Sequence, residues 1–499
     1  MSPLLLFSFI IVYFVILLVV AWFTSRNSNN DSFFIGNRNS NWMLVAFGMI
    51  GTSLSGVTFV SVPGAVANES FAYFQITIGY LIGYLLIAFV LLPVYYRLNL
   101  TSIYNYLSTR MGFTAYKTGA SFFILSRTLG ATARLYLVVN ILQEAILSSF
   151  HVPFWLTTIV ILAMILLYTY EGGVKTIVWT DTLQTTCMLA GLVICVGYIL
   201  SHLHLGIGES LSAMKDRGYD KIWFTNPDSK LFFLKQIVAG AFITITMTGM
   251  DQEMMQKNIS VKRLADSQKN VVTLGFILLV VIVLFLFLGG LLYLYGESVG
   301  GHFVLENGRK IFMIGDVKAG GDKLFPIIAL QYMPHIVSVI FIIALISALF
   351  PSADGAITAL TSSFCIDLFG LQRRNDWDDA QKKKFRQRIH LGFAAVFLLF
   401  VLIYKWVNSP SMINVILKVA AYTYGPLLGL FSFGMLTKRP VNDKLVPWVC
   451  LAAPIICFFI DLNQKRIFGS FEIGLELLVI NGLLTFIGLL IISKKPALA

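Results

Sequence analysis

Long apolar runs joined by short polar segments make up almost the whole chain. About 13 of them are long enough to cross a bilayer as helices: 3–23, 42–66, 72–97, 117–148, 153–170, 175–203, 232–257, 270–297, 323–365, 388–407, 410–437, 444–462 and 472–493. Backbone groups in lipid must satisfy one another, so runs of this length predict helices, whereas a barrel would show short alternating strands. The pattern predicts an all-α polytopic membrane protein, a single transmembrane domain over 1–499. The run 3–23 lacks a basic leader and a small-residue cleavage site, so it reads as a retained peripheral helix rather than a signal peptide. The polar joints His202–Lys230 and Glu297–Lys323 read as outer surface loops, either covering a vestibule or serving as plain linkers.

Two runs carry interruptions near their middles. The second holds Gly51-Thr-Ser-Leu-Ser-Gly56 and then Val62-Pro-Gly-Ala65; the seventh holds Thr244-Ile-Thr-Ile-Thr-Met-Thr-Gly-Met-Asp-Gln-Glu253. They stand five runs apart, at matching places in two five-helix sets, 42–203 and 232–437. An odd number of helices per set inverts the second set relative to the first, which predicts two inverted repeats, with 444–493 as peripheral C-terminal helices. Unwinding a membrane helix frees carbonyls that can ligate a cation and helix N-termini that attract an anion, so paired breaks point to a transporter site. The competing reading is close helix packing through small residues.

Two further places put polar atoms inside apolar runs. Asp181, in Tyr170-Glu-Gly-Gly-Val-Lys-Thr-Ile-Val-Trp-Thr-Asp-Thr-Leu-Gln184, lies roughly 9 Å inside a helix starting at Lys175. A carboxylate at that depth costs a few kcal/mol and needs a partner, a cavity or an ion; snorkelling to the inner surface or capping a neighbouring helix are the alternatives. In Phe341-Ile-Ile-Ala-Leu-Ile-Ser-Ala-Leu-Phe-Pro-Ser-Ala-Asp-Gly-Ala356, Pro351 removes a backbone donor and is expected to disturb the preceding turn, beside Ser347, Ser352 and Asp354. Carbonyls, hydroxyls and a carboxylate suit a hard monovalent cation; Asp354 could equally pair with Lys418.

Composition agrees with the pattern. The chain is 57% hydrophobic and only 12% charged, with a mean hydropathy of +0.80, whereas soluble domains carry roughly 25% charge. The net charge of +12 reflects topology rather than nucleic-acid binding. With the N-terminus outside and the C-terminus cytoplasmic, Arg26, Arg38, Arg97, Arg110, Lys175, Lys262, Arg263, Lys269, the cluster 373–388, Lys438, Arg439, Lys444, Lys494 and Lys495 all face inward. That is about twice as many basic residues as on the other face. The run 382–388 either meets anionic lipid heads or forms a solvated inner loop. Cys187, Cys195, Cys365, Cys450 and Cys457 show no paired or His-clustered spacing, so they read as small core residues without disulfides or transition metal.

Taken together, these features resemble the sodium/solute symporter family, which shares the LeuT-type inverted-repeat fold. The resemblance covers nearly the whole chain and is most specific in Pro93-Val-Tyr-Tyr-Arg-Leu-Asn-Leu-Thr-Ser-Ile-Tyr-Asn-Tyr-Leu107, in 172–184, and in Gly249-Met-Asp-Gln-Glu-Met-Met-Gln256 followed by Ala265-Asp-Ser-Gln-Lys269. It implies an importer working by alternating access in the plasma membrane, which couples Na+ entry to a small solute and is not an enzyme. It implies a sodium site from the carbonyls of Gly51, Leu54 and Ala344 and the hydroxyl of Ser347. This chain departs from the pattern at Ala348, where the family has a second hydroxyl. Some members hold a second sodium with the aspartate matching Asp181 and two more serines; those serine positions are Phe350 and Pro351 here.

For the solute, Asp251-Gln252 resembles the iodide, monocarboxylate and multivitamin branch, where the sugar branch more often has Asn before that Gln. Thr58, Gln75, Thr248 and Tyr424 are the other implied pocket positions. The resemblance implies a carboxylate or other anion as solute, with a sodium/sugar or sialic acid symporter as the alternative. A channel would need a continuous pore, and a sensor an appended signalling domain; neither is evident.

Overall fold

The computed structural model describes residues 3–494 apart from 26–32, 35, 39, 146, 307–308 and 407–410. Arg26 and Lys495, and the side chain of Lys175, lie outside what is described. Among the described residues eight helices are long and apolar enough to cross a membrane, or up to 11 if each of three bent pairs is one span. Two further apolar segments, Phe154–Tyr170 and Leu477–Ile491, are shorter.

The first helix, α1 (Pro3–Ser25), shows lipid an apolar outer face including Val12, Val15, Ile16 and Val19. The first bent pair is α2 (Trp42–Ser53) and α3 (Gly56–Glu69), which meet at 55°. The break is confined to Leu54 and Ser55, because Pro63 sits inside α3 without interrupting it. A proline in an α-helix forfeits one donor, and burial of the surrounding turns holds the rest in place. Next come α4 (Tyr73–Leu86) and α5 (Phe113–Ala145).

A single long element, α6 (Phe154–Leu203), contains both the fifth and the sixth runs. Its one non-helical residue is Gly173 (φ 54°, ψ −146°), the second glycine of the Gly-Gly pair that lies between those two runs. A side chain there would also strike Phe33: a Cβ would lie 2.5 Å from the Phe33 Cα.

The second bent pair is α7 (Phe233–Thr244), extended by a π-helical turn Ile245–Gly249, and α8 (Gln252–Ile259), at 66°. The unwound residues are Met250 and Asp251. After α9 (Leu264–Ser298), the outer joint corrects the all-helical expectation, since it folds into β1 (Gly301–Glu306), β2 (Arg309–Ile314) and β3 (Val317–Lys318), antiparallel in that order. Phe303 and Phe312 pack against Tyr293 of α9 at ring separations of 6.0 and 5.2 Å, which anchors the sheet to the helix end.

The next span, α10 (His335–Ser363), runs through Pro351 unbroken, which corrects the expected disturbance there. It packs along α6, α5 and α2, and its residues from Phe341 to Ser363 are buried except Ile343. The basic run 382–388 lies on α11 (Asp379–Tyr404), where Arg386 is buried over the Phe33 ring. The third bent pair, α12 (Met412–Thr423) and α13 (Gly425–Leu436), meets at 46° beside Tyr424. The helices α14 (Val446–Leu462) and α15 (Leu477–Ile491) complete the fold.

Candidate functional site at the two broken spans

The first break leaves its carbonyls free. Leu54 (φ −95°, ψ 77°) and Ser55 (φ −69°, ψ 169°) turn the chain away from the helix axis. The carbonyls of Gly51, Thr52, Ser53 and Leu54 lose the N–H groups four residues ahead, and among the described residues no other donor reaches them. The N–H groups of 55–58 are likewise without a protein acceptor. The break lies against α10. A Cβ on Gly56 would come 3.7 Å from the Leu345 carbonyl oxygen, and one on Gly51 would come 3.6 Å from Pro351 Cγ. The Ser347 hydroxyl, on the same stretch, donates to the Tyr13 hydroxyl at 2.7 Å.

The second break is tied down. Tyr95 donates to the Gly249 carbonyl at 2.8 Å and Tyr104 to the Met250 carbonyl at 2.9 Å. Asp251 caps α8, accepting from the Glu253 and Met254 amides at 3.0 and 3.3 Å, and it accepts the Tyr424 hydroxyl at 2.8 Å. Gln252 accepts from the Ile103 amide and donates to the Thr101 carbonyl, both at 3.0 Å.

Between the breaks is a cavity of about 110 Å³, room for several waters or part of a solute. Thr52 to Ser55 and Thr58 line it from one broken span, and Thr244, Met247 and Thr248 from the other. Tyr73, Tyr80 and Tyr84 of α4 form a phenol wall, with the Tyr73 and Tyr80 hydroxyls 3.2 Å apart. Arg127 and Arg134 enter from α5, two turns apart and so on one face. Arg127 is ion-paired with Glu253, with Asp251 Oδ2 at 3.8 Å. Arg134 has no hydrogen bond or ion pair to any protein group among the described residues.

Of the positions that the sequence nominated, Thr58 and Thr248 line this cavity. Tyr424 borders a smaller void beside it. Gln75 and Gln252 do not line it; Gln75 is spent on the outer joint, donating to Leu231 O at 3.2 Å and accepting from the Phe224 amide at 3.3 Å. Asp181 is fully buried and ion-paired with Lys257 at 2.7 Å, which answers its need for a partner. Asp354 accepts the Tyr168 hydroxyl at 2.8 Å, while Lys418 pairs with Asp461 at 2.7 Å, so the Asp354–Lys418 alternative fails. The sequence pattern alone does not single out the cavity arginines, Glu253 or Lys257. The signal was present, because an ionisable side chain within an apolar run is a functional candidate by default.

The chain and its fold match known proteins. The family model for the Sodium:solute symporter family covers residues 33–444. The chain belongs to the sodium:solute symporter family. The symporter is therefore a multi-pass membrane protein that couples a solute to Na+. It is 22% identical to the sodium/sialic acid symporter NanT of Aliivibrio fischeri, over 94% of this chain and 90% of that one. It is 26% identical to the mouse (Mus musculus) sodium-coupled monocarboxylate transporter 1, over 81% of this chain and 64% of that one. In three dimensions it superposes on a Na+-coupled sialic acid symporter in a substrate-bound outward-open state, with a TM-score of 0.80 at 19% identity, covering 98% and 99% of the two chains. A nucleobase-cation-symport-1 family transporter in a closed conformation matches with a TM-score of 0.55 at 13% identity, over 94% and 95%. The fold of the symporter is thus the LeuT-type architecture.

Proposed function

We propose that this symporter imports a small organic acid with sodium, and that Arg134 receives the acid group. The carrying observation is the Arg134 guanidinium, which lines the central cavity and is bonded to no protein group among the described residues. A guanidinium with no protein partner calls for an anion, and its fork matches a carboxylate. Arg127 does not compete for that role, since Glu253 already neutralises it. The free N–H groups at the start of α3 open toward the same cavity and add positive potential for an anion. Two relatives carry acids in their names, sialic acid and monocarboxylates, which supports the same reading.

Sodium, in this reading, sits at the first break. The carbonyls of Gly51 and Leu54 and the Ala344–Ser347 stretch of α10 supply it with oxygen, and the loss of a hydroxyl at Ala348 leaves one ligand to water. The helices from α2 to α6 and from α7 to α13 form the two inverted repeats, with the N-terminus outside and the C-terminus in the cytoplasm of a plasma membrane.

Uptake into proteoliposomes with sodium replaced by choline, using lactate, N-acetylneuraminate, glucose and proline as labelled probes, tests the proposal. Sodium-driven uptake of one of the two acids should dominate, and Arg134→Gln should raise its KM by at least about tenfold, equivalent to ~1.4 kcal/mol. Uptake of glucose or proline alone, or an Arg134→Gln variant with unchanged KM, would sink it.

A further inference from the structure

Lys257, on α8, carries a buried ammonium whose oxygen partners come from three separate elements. Its Nζ stands 2.7 Å from Asp181 Oδ2 on α6 and 2.7 Å from Thr52 Oγ1 on α2. Glu253 Oε1, one turn earlier on α8, is 3.6 Å away. Thr52 Oγ1 also lies 3.2 Å from Asp181 Oδ2, so the two oxygens and the ammonium form a closed triangle. Hard oxygen donors converging from different helices, carboxylates among them, are how a monovalent cation is held. Here the position at their centre is taken by a cation that is part of the chain.

The Asp181 carboxylate has its counter-charge at hydrogen-bond distance already. Asp181 is neutralised by Lys257, and Glu253 is shared between Lys257 and Arg127. The facing turn of α10 brings Phe350 and Pro351 instead of hydroxyls. Asp354 turns aside to Tyr168 and to the Gly355 amide. A sodium ion brought beside a fixed ammonium in a dry interior would be strongly repelled.

We propose that the Lys257 ammonium is a tethered cation that permanently fills the Asp181–Thr52 site, so that the protein binds one sodium per chain and couples one sodium to each solute. This rests on the sodium-coupled reading of the first break. A side chain differs from an ion in one respect that matters for energetics: it cannot leave on the inner side, so it contributes a counter-charge to every state and no driving force. The ammonium also bridges α2, α6 and α8, one of which ends at each break.

Binding of ²²Na+ to the purified full-length protein, counted per chain, tests the inference without knowledge of the solute. Wild type should bind one sodium with a Hill coefficient near 1. Lys257→Met keeps the aliphatic stem and removes the charge, and should bind two with a Hill coefficient approaching 2. Lys257→Arg should stay at one, and Lys257→Met combined with Asp181→Asn should return to one. Two sodium ions on wild type, or a folded Lys257→Met variant that stays at one, would overturn it. If Lys257→Met does not fold, the wild-type count decides alone. No sodium on wild type would bring down the sodium-coupled reading together with this one, whereas two would refute only the tethered cation.

Discussion

The Ser347 hydroxyl donates to the Tyr13 hydroxyl at 2.7 Å, although Tyr13 belongs to a helix outside the two five-helix sets. A serine that gives its proton to Tyr13 keeps both lone pairs for a cation, so under the sodium site proposed above the peripheral helix would orient one ligand. Ser347→Ala is expected to raise the half-saturating sodium concentration about tenfold or more, or ~1.4 kcal/mol. Tyr13→Phe should raise it less, about threefold, in line with the modest worth of one hydrogen bond. Ala348→Ser should lower it by returning the absent hydroxyl. Sodium titrations of transport in all three variants check this, and identical curves for wild type and Ser347→Ala would remove Ser347 from the site.

Tyr104→Phe leaves the Met250 carbonyl buried without its donor. Such a loss costs about 1–3 kcal/mol. The melting temperature in detergent should fall, while sodium affinity, which the proposal assigns to the other break, should hold. A variant that melts like wild type would show that water replaces the phenol.

Gly79 on α4 is pressed against α7, so that an added Cβ would sit 2.2 Å from the Ile237 carbonyl oxygen and 2.8 Å from the Ala241 nitrogen. Backbone cannot yield as a flexible side chain can, so Gly79→Ala should sharply reduce the yield of folded protein. Gly197, on α6, has nothing within 4 Å of the same added atom. Gly197→Ala should express normally, and size-exclusion profiles of the pair make the comparison.

Asp322, just before the α10 span, is buried at the outer end, where its carboxylate accepts the Met412 amide at 2.7 Å at the start of α12. Burial raises its pKa to about 6, against the pull of that amide and of Ser61. The folded state therefore holds a proton between pH ~4 and ~6 that the unfolded chain releases, so this residue's contribution makes the protein more stable as pH falls through that window. Relative to Asp322→Asn, wild type should gain of order 1–3 kcal/mol on going from pH 7 to pH 4. Melting curves of both proteins across that range check the sign, and a parallel pair would refute it.

The sequence revealed the parts of the fold that depend on local composition. Gly51, Ser53, Ser55 and Gly56 announce a break because none has a side chain that favours staying helical, and the break lies among them. Gly173 announces a turn for the same reason. Pro351 misled, because burial on α10 holds the helix together through the lost donor. The π turn before Met250 kept helical geometry where threonines and glycine suggested unwinding. The bend at Tyr424 passed unread despite the Gly425-Pro426 pair that follows it. The pairing of Asp181 with Lys257 spans 76 residues, and only the packing of α8 against α2 and α6 creates it. The strands after α9 depend likewise on ring contacts with Tyr293 that no local pattern encodes.

The unequal treatment of the two breaks has a consequence for how isotope exchange would read the working protein. Amides at 55–58 have no protein acceptor among the described residues and border the cavity, so solvent deuterons should replace their protons quickly whenever the cavity is wet. Amides at 253 and 254 are held by Asp251 and lie buried, so theirs should persist. Exchange that slows at 55–58 on adding sodium and solute, with 253–254 unchanged, would make one of the two breaks the reporter and the other its internal clock.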